Sequence, residues 1–229
     1  MNSAAIPTPV EDIHGDGRWM SMHQRFVGQV KEKEPEILFI GDSLISQMAL
    51  TDLWQKMFVP LHCLNFGIDE DRTENVLWRI SNGELECISP KVIILLVGTN
   101  NYDNSAEEIS EAILAIVDVV QGKQPQSQLI VMGIPPRGEN PNRVRDKIEK
   151  LNSLLKLKLE KLDQVTFLQV DTSMFVNSSD GTIDPSDMYD YLHFTTKGYQ
   201  KLTEPLLDEI NNLLMSFERT DSMDAPDDL

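Results

Sequence analysis

Cysteine is scarce in this chain: two residues in 229, Cys63 and Cys87, with no CxxC spacing and no paired histidine. That argues against a disulfide-stapled scaffold and against a cysteine–histidine metal site. Cys63 lies in the apolar run Leu61–Phe66 and is expected to be a buried small hydrophobe. Positive charge is in deficit as well, with 20 Lys and Arg facing 37 Asp and Glu for a net charge of −17. Nucleic-acid binding and docking on anionic lipid both need surplus cations, so neither fits. No apolar run reaches the ~18–20 residues that cross a bilayer. The first 20 residues carry Pro7, Pro9, Glu11, Asp12 and Asp16 and lack the apolar core of a secretory leader. A cytoplasmic location is the expectation.

What is present suits one domain. Hydrophobic residues make up 41% of the chain, and its length supports a core without staples. After a polar N-terminal segment, apolar runs and helical patterns alternate. Ile37–Ile40 ends at Gly41, and a helical pattern covers 44–58. Leu61–Phe66 precedes a helical stretch over 72–82, which stops at Asn82-Gly83. Val92–Val97 is unbroken apolar, the pattern of a strand buried on both faces. Ser105-Ala-Glu-Glu108 is a capping box that opens a helix to Gly122. Leu129–Ile134 is a fourth strand, followed by a Pro135–Asn142 loop, a helix over 143–162 and a fifth strand at Val165–Val170. A last helix is read over 195–216. The pattern predicts an α/β fold, a five-stranded parallel sheet of order 2-1-3-4-5 with helices on both faces. Residues 1–217 form its single domain, 1–16 being an N-terminal arm. Residues 218–229 are expected to be an acidic, disordered tail.

Three segments carry candidate chemistry, all at the carboxyl edge of that sheet. After strand 1 comes Gly41-Asp42-Ser43, which sets a hydroxyl at a helix start, where free N–H groups can meet a developing oxyanion. An Asp or Ser before a helix is equally an ordinary N-cap. Strand 3 ends in Gly98-Thr99-Asn100, whose amide is a suitable oxyanion donor, although Gly-Thr-Asn also makes a plain turn. Asp190-Tyr-Leu-His193 pairs a carboxylate with an imidazole, the logic of a Ser-His-Asp triad. A histidine at an exposed helix start is the other reading. His193 is the one histidine of the C-terminal half, while His14, His23 and His62 read as surface, N-terminal or core residues. No glycine-rich phosphate loop follows strand 1, and neither a cofactor nor a metal is implied.

Taken together, Gly41-Asp42-Ser43, Gly67, Gly98-Thr99-Asn100 and Asp190-x-x-His193 resemble the four blocks of the SGNH, or GDSL-type, hydrolases. Longer stretches resemble the catalytic α subunits of intracellular (type Ib) platelet-activating factor acetylhydrolases. They are Gly17–Ser21, Pro60–His62, Val76–Arg79, Val97–Asn101, Pro136–Gly138 and Asp187–His193. The resemblance implies a flavodoxin-like SGNH hydrolase fold. It also implies a calcium-independent serine esterase that removes a short, typically acetyl, sn-2 group from an ether phospholipid. In that family pattern Ser43 is the nucleophile, His193 the general base and Asp190 its orienting partner. The N–H groups of Ser43 and Glu70 with the Asn100 amide form the oxyanion hole, and Leu44, Thr99 and Leu192 close the acyl pocket. A dimer of α subunits and a WD-repeat (lissencephaly-type) partner are implied as well.

One block departs from the pattern. The family reads Asn-Phe-Gly-Ile-Gly-Gly-Asp where this chain has Asn65-Phe66-Gly67-Ile68-Asp69-Glu70-Asp71. A backbone N–H survives at Glu70, but glycine serves such loops where φ is positive or space is tight. A like charge roughly 6 Å from the oxyanion, at an effective dielectric near 20, costs about 3 kcal/mol, about a hundredfold in rate. Pairing with Arg72 would relieve it, and Asp69–Asp71 also reads as a solvated acidic helix start. The alternative function is therefore an impaired α subunit retained as a dimeric scaffold.

Overall fold

The computed structural model describes residues 2–223, with side chains through Arg219. Five parallel strands form one sheet: β1 (Ile37–Gly41), β2 (Cys63–Gly67), β3 (Val92–Leu96), β4 (Gln128–Met132) and β5 (Val165–Leu168). Their order is β2-β1-β3-β4-β5, as the alternation predicts. β1 and β3 lie at the centre and every residue of both is buried. That is why they read as unbroken apolar runs. Register aligns Gly41 with Gly67 on one side and Leu96 on the other, so the carboxyl ends of three strands finish level.

Helices α1 (Arg18–Glu32), α2 (Ser43–Ser46), α3 (Asp52–Met57), α4 (Thr73–Arg79), α5 (Ala106–Lys123), α6 (Arg143–Leu159) and α7 (Thr196–Met223) surround the sheet. α4, α5 and α6 pack side by side, and α3 contacts α7. The capping box at Ser105 forms as read: Glu108 N–H donates to Ser105 Oγ at 3.2 Å, and Ser105 N–H to the Glu108 carboxylate at 2.9 Å.

Several boundaries differ from the sequence reading. The helix expected over 44–58 is broken into α2, a 3-10 turn at Gln47–Leu50, and α3, because Thr51 leaves helical geometry and caps α3 by accepting Trp54 N–H at 3.2 Å. The segment ahead of β1 is largely helical rather than merely polar. Trp19, Met22, Phe26 and Val30 of α1 recur at helical spacing and pack on the core. The arm is strapped down: Asn2 Nδ2 donates to Glu108 O at 2.8 Å, and Asn75 Nδ2 to Thr8 O at 3.0 Å. α7 runs on through Met223, so residues 218–223 are helical where a disordered tail was expected. The rest of that tail lies outside the described residues. Cys63 is half-buried against the core, and burial pushes its thiol up to about 12.

A buried ionic cluster sits beneath the carboxyl ends of β1 and β2. Arg79 is fully buried; its Nε lies 2.8 Å from Asp71 Oδ2 and its Nη1 bonds Glu84 Oε2. Its Nη2 donates to Gly41 O (3.3 Å) and Phe66 O (3.1 Å). His23 Nδ1 adds a contact with Glu84 at 2.9 Å, and Trp19 Nε1 donates to Asp71 at 2.6 Å. A buried guanidinium is tolerated only when its donors and its charge are both matched.

Candidate active site

Ser43, His193 and Asp190 arrive from distant parts of the chain and form one hydrogen-bonded run. Ser43 follows β1 after one intervening residue, Asp42. Asp42 caps α2 through Oδ1, which accepts Leu44 N–H at 3.0 Å, and so sets the Ser43 backbone at the sheet edge. The cap reading of Gly-Asp-Ser is therefore correct for Asp42 and leaves the Ser43 hydroxyl free to point elsewhere. Ser43 Oγ lies 3.0 Å from His193 Nε2, and His193 Nδ1 lies 2.7 Å from Asp190 Oδ2. The carboxylate can only accept, which assigns the ring proton to Nδ1 and leaves Nε2 to take the serine proton.

The segment carrying His193 is tightly turned. Tyr191 has φ of 61°, while Asp190 Oδ1 accepts the N–H groups of Leu192 (3.1 Å) and His193 (2.7 Å). Burial alone would raise the Asp190 carboxyl, but these bonds to His193 outweigh it and hold the group below its ordinary value. It stays ionised beside the imidazole. Tyr189 stacks on the His193 ring, with centroids 5.9 Å apart and planes at 20°.

The turn after β2 lies against α2, where Ser46 Oγ donates to Asp69. Asp71 N–H closes onto Ile68 O at 3.3 Å, and Glu70 occupies the third position with φ of 66°. That is the left-handed conformation that glycine serves elsewhere in the family pattern. Glutamate adopts that conformation here and the turn is closed. Among the described residues, the N–H groups of Ser43 and Glu70 donate to no protein acceptor. Asn100 is tied to the end of this turn: Nδ2 donates to Asp71 O at 2.9 Å, and Oδ1 accepts the Tyr102 hydroxyl at 3.1 Å. Its second Nδ2 hydrogen is uncommitted.

Two expectations about this turn need correction. The three acidic residues are not a solvated helix start, because Asp71 is buried in the Arg79 cluster and burial pushes its carboxyl up to about 6 against the pull of Arg79. Glu70 does not pair with Arg72, which instead forms an ion pair with Glu74 at 2.7 Å and donates to Asp103 at 2.5 Å. Glu70 is exposed, while the Asp69 carboxylate accepts from Ser46 Oγ. α2 spans a single turn. The site's polarity therefore rests on particular N–H groups more than on a macrodipole.

Asp42 is the other perturbed acid. It is fully buried and its Oδ2 has no partner. Burial, reinforced by the charges of Asp71 and Asp69, pushes its carboxyl up to about 7.

Of the residues expected to close the acyl pocket, Leu44 is buried, and its carbonyl accepts the Tyr199 hydroxyl at 2.8 Å. Thr99 is buried and Leu192 half-buried. Each is a chain neighbour of Ser43, Asn100 or His193, and so flanks the run. Sequence reasoning assigned no role to Arg137, whose Nη1 donates to Thr99 O (3.0 Å) and Thr99 Oγ1 (3.2 Å). The Pro136-Arg137-Gly138 motif was visible, but its partner loop was not. No His/Cys/Asp/Glu cluster fit for a metal occurs among the described residues, and no helix there is long and apolar enough to cross a membrane.

A hydroxyl hydrogen-bonded to an imidazole that is itself held by a carboxylate is an arrangement able to form and break an acyl ester. Residues 39–201 match the GDSL-like Lipase/Acylhydrolase family, and the chain belongs to that family. It is a hydrolase of esterase type. Over 93% of its length, and 92% of the relative's, the chain is 53% identical to platelet-activating factor acetylhydrolase IB subunit alpha2 of Rattus norvegicus. It is 49% identical to subunit alpha1 of Bos taurus over 90% of this chain and 88% of that one. A GDSL-like lipase structure from Bacteroides thetaiotaomicron shares the fold at TM-score 0.67 and 17% identity, covering 82% of this chain and 98% of that one.

Proposed function

We propose that this chain is a calcium-independent serine esterase that removes a short, acetyl-sized sn-2 acyl group from a platelet-activating-factor-like ether phospholipid. The observation that carries the reading is the 3.0 Å and 2.7 Å run from Ser43 through His193 to Asp190. In this reading Ser43 Oγ attacks the ester carbonyl while His193 Nε2 takes its proton. Asp190 keeps the ring aligned and stabilises the imidazolium. Charge on the carbonyl oxygen is met by the N–H groups of Ser43 and Glu70 and by Asn100 Nδ2. His193 then protonates the departing lyso-phospholipid oxygen. Water, deprotonated by the same ring, releases acetate from the acyl-enzyme.

The substrate class comes from the relatives, which are named as platelet-activating factor acetylhydrolase subunits. The word subunit also supports an assembly, either a dimer of α subunits or one with a WD-repeat partner. The scaffold alternative drew on Asp69-Glu70. An exposed Glu70 in a turn that keeps its N–H free removes most of its motive.

A fluorophosphonate probe is expected to label the wild-type chain at Ser43, and Ser43→Ala to abolish both labelling and acetyl-ester turnover. A folded wild-type protein that takes no label would overturn the esterase reading and leave the scaffold.

A further inference from the structure

We propose that Arg137 and Tyr102 form a clasp that shuts the acyl side of the site and sets the longest acyl chain it accepts. The inference rests on the esterase reading of Ser43. An ester carbon bonded to Ser43 Oγ directs three groups outward. Its oxygen faces the donors at Ser43, Glu70 and Asn100, and its leaving oxygen faces His193 Nε2. The acyl chain takes the direction that remains. Sheet order places the turn 68–71 after β2, on one flank of β1, and the loops after β3 and β4 on the other. Asn100 leans toward the first flank, held by Asp71 O at 2.9 Å. The acyl chain therefore runs toward Thr99 and the gap between the β3 and β4 loops.

Arg137 closes that gap. It comes from the β4 loop and bonds Thr99 of the β3 loop twice, at 3.0 and 3.2 Å. Its guanidinium carbon lies 5.3 Å from the centroid of the Tyr102 ring. Tyr102 is 63% exposed, so its ring lies at the surface against Arg137 and is not part of the core. Lys147 holds the same loop against α6, with Nζ donating to the carbonyls of Asn101, Tyr102 and Asn104 at 3.1 Å each. Among the described residues Arg137 makes no salt bridge, although its charge also acts on the buried Asp42. Carbonyl, hydroxyl and ring thus gather around one half-buried cation and tie the two loops together where a longer chain would have to pass.

The test compares p-nitrophenyl acetate, butyrate and hexanoate on wild type, Arg137→Ala and Tyr102→Phe. Arg137→Ala is expected to raise the hexanoate-to-acetate ratio of kcat/KM at least tenfold. Tyr102→Phe keeps the ring and loses the bond to Asn100, so it lowers kcat on every ester and leaves the ratio at the wild-type value. An unchanged ratio in Arg137→Ala, or an equal loss on all three esters, would overturn the clasp, the second showing that Arg137 only braces Thr99. Ethyl and hexyl phosphonofluoridates give the same comparison as labelling rates at Ser43, without turnover. A wild type labelled by neither overturns the esterase reading and the clasp together. A labelled wild type with an unmoved ratio overturns the clasp alone.

Discussion

Glu70→Gly separates the charge at the oxyanion turn from its backbone. The carboxylate is exposed, so the dielectric acting on it is closer to water than to protein. At roughly 6 Å and an effective dielectric of 60–80, its repulsion of a developing oxyanion is about 0.7–0.9 kcal/mol. That corresponds to a three- to fivefold effect on rate, far below the hundredfold that a protein-like dielectric gives. The backbone contributes separately. A non-glycine residue at φ of 66° is strained by roughly 1 kcal/mol, and glycine returns much of that by loosening the unfolded chain. The melting temperature is therefore expected to rise by no more than about 2–4 °C. The assay is kcat/KM on an acetyl ester for wild type and Glu70→Gly, at low salt and near 1 M salt, where the Debye length falls to about 3 Å. A gain of three- to fivefold at low salt that fades at high salt is expected. A gain near a hundredfold that survives salt would refute the reasoning, because the glutamate would then be misaligning the N–H. No gain at low salt would place its charge away from the reacting oxygen.

Asp42→Asn and Arg79→Met address the buried charges. Asp42 titrates near 3.8 in the unfolded chain and near 7 in the folded one, so its stabilising contribution is complete below about pH 4 and is lost as pH rises to 7. Asp42→Asn keeps the acceptor for Leu44 N–H, and its stability relative to wild type should grow by about 3 kcal/mol between pH 5 and pH 8. Urea midpoints at the two pH values measure this, and a difference that does not change with pH would count against it. Arg79→Met strands Asp71 and Glu84 without their shared cation and is expected to cost about 3–5 kcal/mol in urea unfolding. A loss below about 1 kcal/mol would mean that the cluster adds nothing to stability.

Much of this molecule can be read directly from its residues. Unbroken apolar runs mark β1 and β3 because both faces of a central parallel strand are covered. The alternation with helical patterns then leaves the 2-1-3-4-5 order as the economical topology. α1 is hard to read although Trp19, Met22, Phe26 and Val30 recur at helical spacing, because the flanking charges and the Gly15 and Gly17 turns give the segment a polar average. The break at Thr51 is invisible in the sequence because a cap competes with helix continuation only through local geometry.

The sequence by itself determined the order of the elements and the residue types available to the site: a serine after β1, an amide after β3, and an aspartate three residues before a histidine. These are local in the chain, and periodicity and spacing report local structure faithfully. Tertiary structure alone decided that His193 meets Ser43 across 150 positions, and that Asp71 turns inward to Arg79 while Glu70 stays in water. It also decided that Arg137 crosses from one loop to the next. The reason is dielectric and steric. Whether a charge costs threefold or a hundredfold depends on what surrounds it, and the surroundings of Glu70, Asp71 and Asp42 come from elements far apart in the chain.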